Sequence, residues 1–240
     1  MWRYSLILEH ITLPPPFGNW PESFDLRLGM TEVLLIEGAG AEDAETLLDV
    51  AATLSEPGQG QVRLWGKEIS TLTRQELYNL RRQIAYVHPK QSLLHTLTLA
   101  ENIGLGPAYH LGQNLSDTLR EHAPLIKHLG LEPFLSRRPS ELSQAAYTCA
   151  LWARELVKLP ELILAMVEES PETAGTQRLI LTLIEEYLDK QDAAVILAGH
   201  SLTAFHHLAH RLLTLKAGRI RERQILERGG RPLIAYLPLV

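Results

Sequence analysis

Short apolar runs alternate along this chain with stretches of helical period. Val33-Leu34-Leu35-Ile36, Gln61 to Leu64, Ile84 to Val87, Leu162 to Val167 and Ala193 to Ala198 are each too short for a helix and rich in β-favouring residues, so they predict strands. Between them, Leu47, Leu48, Ala51, Ala52 and Leu54 recur at helical spacing until Pro57-Gly58-Gln59-Gly60 stops them. Thr73-Arg74-Gln75-Glu76 reads as a capping box opening a helix that carries Leu77 and Leu80. Further helices are predicted over about 177–188 and 203–210, and a hairpin over 212–220 around Ala217-Gly218. The opening segment, Tyr4 to Leu28, reads as strands interrupted by the stiff turn Pro14-Pro15-Pro16-Phe17-Gly18. This alternation is that of an α/β fold. From Leu99 to Arg154 the strand signals vanish, and Leu115, Leu119, Ile126 and Leu129 recur with Gly130 as a C-cap, which predicts a helical insert. The last stretch, Arg221 to Val240, sets several arginines before an apolar end.

Composition narrows the picture modestly. A chain of 240 residues, 45 % hydrophobic, buries a sizeable core and suits one domain or two coupled subdomains. Cys149 is the only cysteine, which excludes an internal disulfide and suits a reducing compartment. No apolar run approaches the roughly 20 residues of a membrane span, and Met1 to Leu13 lacks the h-region of a secretory signal. A net charge of −5 without a basic run argues against a nucleic-acid partner.

The chemistry gathers in the loop after Val33 to Ile36, which reads Glu37-Gly38-Ala39-Gly40-Ala41-Glu42-Asp43-Ala44-Glu45-Thr46. A P-loop, G-x-x-x-x-G-K-[ST], needs glycines for close backbone approach, a lysine for the β/γ-phosphates and a hydroxyl for magnesium. The in-register occupants here are Asp43, Ala44 and Glu45. By itself the segment reads as an acidic helix start, with Asp43 as N-cap and Glu45 in the first turn.

The order of the remaining landmarks resembles the nucleotide-binding subunit of ATP-binding cassette transporters, from about Tyr4 to Arg221. Leu80-Arg81-Arg82-Gln83-Ile84-Ala85-Tyr86-Val87 looks like the approach to the family's Q-loop, and Leu97-Thr98-Leu99-Ala100-Glu101-Asn102-Ile103 like its continuation. Arg137-Arg138-Pro139-Ser140-Glu141-Leu142-Ser143 resembles the approach to the LSGGQ signature, and Ala153-Arg154-Glu155-Leu156 the helix after it. Leu162-Ile163-Leu164-Ala165 is similar to the Walker B strand, Val195 to Ser201 to the switch-histidine segment, and Leu215 to Ile220 to the following hairpin. The resemblance implies a P-loop NTPase-like fold of α/β class: a mixed sheet core, an N-terminal antiparallel β-subdomain and a helical subdomain. The core would take 1–98 and 155–220, the helical subdomain 99–154 and the tail 221–240.

Carried over residue by residue, the resemblance implies lost chemistry. The phosphate lysine falls on Ala44 and the magnesium hydroxyl on Glu45, with Thr46 surviving beside them and Gly38 and Gly40 as remaining loop glycines. The Q-loop glutamine falls on Pro89. Of the signature, Leu142 and Ser143 remain, while its glycines become Gln144 and Ala145. The Walker B aspartate and the catalytic glutamate fall on Met166 and Val167; a one-residue slip offers Glu168 as a rescue base. His200 keeps the switch position, with a capping or packing role expected, and Phe17, or equally Trp20, stands where an aromatic stacks on adenine. Losing an attraction between unit charges about 4 Å apart, roughly 4 kcal/mol at an effective dielectric near 20, weakens binding about a thousandfold. The expectation is therefore a catalytically dead cassette subunit with no cofactor, ATP and Mg2+ entering only if the chain is a weak or unconventional ATPase. Its implied partners are a membrane permease and a second cassette chain, alike or different, at the cytoplasmic side of the inner or plasma membrane. A soluble scaffold or sensor is the remaining alternative.

Overall fold

The computed structural model describes residues 3–14, 23–38, 41–167, 174–216 and 219–224. In β1 (Tyr4–Thr12), Leu6 and Leu8 point inward between the partly exposed Ile7 and Glu9, as period-2 alternation requires. A bulge at His10, whose φ is 53°, then turns Ile11 back into the core. Around β1 an antiparallel sheet forms with β2 (Phe24–Gly29), β4 (Gln59–Leu64) and β5 (Lys67–Glu68), in the order β2-β1-β4-β5.

The second sheet has the order β10-β9-β3-β8-β7-β6. It comprises β3 (Val33–Glu37), β6 (Ile84–Val87), β7 (Leu162–Met166), β8 (Ala194–Gly199), β9 (Arg211–Lys216) and β10 (Arg219–Gln224). All its pairings are parallel except β9 with β10. The central strands are apolar on both faces because both are covered. Leu34 and Ile36 of β3 pack in one layer with Leu47 and Leu48 of α1 (Ala41–Ala51) and with the antiparallel sheet. Val33 and Leu35 pack in the other, with Trp152 of α6 (Gln144–Leu156) and Ile184 of α7 (Ala174–Lys190). The remaining helices are α2 (Arg74–Arg81), α3 (Leu99–Leu111), α4 (Leu115–Glu121) and α5 (Ala123–His128). No helix among the described residues is long and apolar enough to cross a membrane.

Several expectations shift in detail. The capping box at Thr73 is present, and Gly130 takes the left-handed conformation, with φ 64°. The periodic stretch from Leu115 to Leu129 breaks at His122, and Pro124 opens α5, since proline lacks the N–H that a helix interior needs and is tolerated in a first turn. Residues 203–208 form a 3-10 helix. Asp43 lies inside the first turn of α1, which begins at Ala41, so it is not the N-cap; a carboxylate complements the helix dipole at either place.

Candidate functional site

The strand-to-helix junction at β3 and α1 is bounded by Gly38, whose φ of 70° belongs to the left-handed region that glycine adopts without strain. Three side chains of α1, Glu42, Glu45 and Asp49, fall at helical spacing on one face. Opposite them lies the edge strand β6, where strand alternation puts Tyr86 and His88 on one side, and the turn that follows brings Lys90 to the same side. The Tyr86 hydroxyl donates to Asp49 Oδ1, and burial together with that carboxylate pushes the phenol well above the ordinary tyrosine range. His88 Nε2 lies 3.7 Å from Glu45 Oε1, and Lys90 Nζ donates to Glu45 Oε2 at 2.6 Å.

The chain after β6 is built to hold this arrangement. Gln91 N–H donates to His88 O at 2.9 Å, closing a turn in which Pro89 supplies the fixed φ at the second position. Inside it, Lys90 N–H donates to His88 Nδ1 at 3.0 Å, which assigns the ring proton to Nε2, the nitrogen facing Glu45. Arg154 secures the far end, donating to Ser92 O at 2.9 Å. The Glu45 carboxylate, with Glu42 and Asp49 nearby, holds the Lys90 ammonium above the ordinary lysine range, although the side chain is 72 % exposed.

The residues singled out in the sequence separate into groups. Ala44 is fully buried in the core, and the Thr46 hydroxyl donates back to Glu42 O at 2.8 Å, turned inward. Pro89, Gln144, Met166 and Val167 meet, with His88, around a cavity of about 30 Å³, room for one water. Ser143 is the N-cap of α6, accepting from Ala146 N–H, and Gln144 and Ala145 open its exposed first turn. Met166 pairs with Ala198, and the N–H of buried Val167 donates to Ala198 O at 2.8 Å. A Cβ on Gly199 would stand 2.6 Å from Val167 O, so the two strand ends approach as only glycine allows. His200 follows, exposed and without a hydrogen bond among the described residues, where β8 delivers it to the surface. Phe17, Trp20, Gly40 and Glu168 lie outside the described residues.

Reading the sequence missed Tyr86, His88, Lys90 and Asp49. Both signals were present, a period-2 row running past Val87 and an acidic row on α1, but only the tertiary structure sets one against the other. For magnesium and a polyphosphate the donor set is suitable: a lysine for phosphate oxygens, a histidine N–H, and a carboxylate of the kind that takes magnesium.

Comparison with known proteins agrees with this geometry. The family model described as ABC transporter matches residues 24–165. A macrolide export ATP-binding/permease protein, MacB of Wolinella succinogenes, is 29 % identical over 204 residues, covering 85 % of this chain and 31 % of the relative. The methionine import ATP-binding protein MetN of Mesorhizobium japonicum is 28 % identical over 218 residues, covering 90 % of this chain and 60 % of the relative. The chain thus spans about a third of the length of the first curated relatives it matches. The dimeric bacterial ABC transporter cassette MJ0796 superposes with a TM-score of 0.81 at 24 % identity, covering 93 % of this chain and all of that one. The same cassette in a post-hydrolysis state, bound to ADP and Pi, superposes with a TM-score of 0.76 at 23 % identity, covering 93 % of this chain and all of that one. These findings overturn the expectation that no cofactor is needed: relatives are named as ATP-binding proteins, and a neighbour of the same fold holds ADP and phosphate. Charges contiguous with the loop are not the whole of its surroundings: Lys90, from the chain after β6, lies against Glu45. By its landmarks, its sheet order and the family model that spans more than half its length, the chain belongs to the ABC transporter family.

Proposed function

We propose that this chain is a cassette subunit that binds nucleotide without turning it over efficiently, and that it docks on a membrane permease at the cytoplasmic side, paired with a like or different cassette chain. One observation carries the catalytic half. The positions that the resemblance gives to the metal carboxylate and to the water-activating base hold Met166 and Val167, the second buried and hydrogen-bonded to β8. Neither side chain accepts a proton, and general-base catalysis contributes about 10²–10⁴-fold. Bound magnesium–ATP would supply a phosphoanhydride open to attack by water; Lys90, His88 and Glu45 would hold it, and neither position 166 nor position 167 offers a base to activate that water. The exposed Gln144 and Ala145 add side chains where signature glycines let backbone amides approach a partner's phosphate.

Docking is supported by the surface of α3. Tyr109 and Leu111 are 77 % and 69 % exposed, with Leu105 and Tyr78 also uncovered, beside a groove of about 320 Å³ lined by Arg82, Pro107, His110 and Lys158. Clustered exposed apolar side chains of this size mark protein contacts, and a relative is named as an ATP-binding/permease protein. The test is phosphate release from magnesium–ATP by the purified full chain, alone and reconstituted with the permease with which it co-purifies from membranes. Co-purification without release above background is expected. Turnover at the rate of an intact cassette overturns the catalytic half, and failure to co-purify with any membrane subunit overturns the docking half.

A further inference from the structure

We propose that Lys90 supplies the positive charge for the polyphosphate of a bound nucleotide, in place of the lysine that position 44 lacks, and that Glu45 holds it in readiness. The inference rests on the nucleotide-binding part of the proposed function. Its ground is a displacement of charge between two elements. Ala44 is buried and cannot present a cation, whereas Lys90 reaches across from the chain after β6 and places its Nζ 2.6 Å from the carboxylate of the next residue, Glu45. That carboxylate stands where the resemblance puts the hydroxyl for magnesium, so the ammonium lies against the same turn of α1 that faces the phosphates.

The local structure makes Lys90 suitable for this work. Its backbone is fixed by the His88–Gln91 turn, by Pro89 and by the hydrogen bond to His88 Nδ1, while its side chain remains exposed and free to change partner. An exposed lysine–carboxylate pair contributes little to folding, so exchanging Glu45 for a phosphate oxygen costs little. Lysine is a compact point charge with rotatable donors, which suits phosphate oxygens whose directions differ between ligands. Three carboxylates, Glu45 first and then Glu42 and Asp49, act on this one ammonium and raise it above the ordinary lysine range. Glu45 is a positioning residue in this scheme: it orients Lys90 and competes with the incoming anion. Removing the lysine and removing the glutamate therefore have opposite effects, which a purely structural ion pair would not produce.

The experiment is calorimetric titration of the full chain, wild type, Lys90→Met, Lys90→Arg and Glu45→Gln, with magnesium–ATP and, in a chelating buffer, with sodium tripolyphosphate. Lys90→Met is expected to weaken both ligands roughly tenfold or more, Lys90→Arg to stay within about threefold, and Glu45→Gln to tighten tripolyphosphate several-fold, with melting temperatures within about 2 °C of wild type because the pair is exposed. Unchanged affinity in Lys90→Met overturns the assignment and leaves the proposed function standing, as does weakening of tripolyphosphate by Glu45→Gln equal to that by Lys90→Met. A wild type that binds tripolyphosphate but not ATP overturns the assignment to a nucleotide, and one that binds neither overturns both this inference and the nucleotide-binding part of the proposal. Phosphate release in the same samples overturns only the claim of poor turnover.

Discussion

Single side chains carry much of the order in the segment that follows the site. Asn102 is fully buried; its Oδ1 accepts from Leu94 N–H at 2.7 Å, and its Nδ2 donates to Leu94 O at 3.1 Å and Thr98 O at 2.9 Å. These bonds tie the loop after Lys90 to the start of α3. Asn102→Ala leaves Leu94 N–H without its partner, while Leu94 O and Thr98 O keep the backbone N–H groups of Leu97 and Asn102, and a loss of about 2 kcal/mol is expected in urea unfolding. Cys149 shows the other effect of burial, which pushes its thiol up from 9.0 to about 11. A raised folded-state value means that stability is fully present below the unfolded value and is lost as pH rises through the folded one. Between pH 9.0 and about 11 the unfolded chain ionises its thiol while the folded chain does not, so Cys149→Ser is expected to flatten the decline in stability across that window relative to wild type, in melts followed by circular dichroism. The identity of Asn102 and Cys149 is plain in the sequence; that both are buried is a property of packing.

At the scale of elements, the strands were the most legible part. Val33 to Ile36 and Ile84 to Val87 are apolar on both faces, and runs of this kind point to a covered parallel sheet because few other structures bury both sides. The capping box at Thr73 was equally legible, since its two hydrogen bonds lie within one turn. The bulge in β1 was not, because it depends on a second strand. Gly60, at φ 94°, fits under that bulge, where an added Cβ would stand 2.4 Å from Glu9 O. Gly60→Ala is expected to destabilise the chain by about 3 kcal/mol, from combined clash and left-handed strain, measured by denaturant midpoint. The acidic face of α1 was visible as a row of carboxylates, yet its meaning reversed once Tyr86, His88 and Lys90 were seen against it.

For the whole molecule, a largely buried arginine bridges the two sheets beside their shared apolar core. Arg211 of β9 donates to Glu32 Oε1 at 2.9 Å, to Glu222 Oε1 at 2.6 Å and to Arg27 O of β2 at 2.7 Å. Arg211→Ala strands the buried Glu32 carboxylate, and a loss of about 3–5 kcal/mol is expected in thermal or urea unfolding, largely recovered when Glu32→Gln is added. Hydrophobic period, turn residues and caps by themselves determined the α/β class, the positions of the strands and the stretch that is helical, because each of those rests on interactions within a few residues. The order of the landmarks was enough to point to the family. The residues at 44, 45, 166 and 167 could also be read directly, as could the net acidity of the loop. Only the tertiary structure decided which charges stand together: Lys90 reaches Glu45 across 45 positions of sequence, and an electrostatic field sums over charges near in space, whatever their separation along the chain.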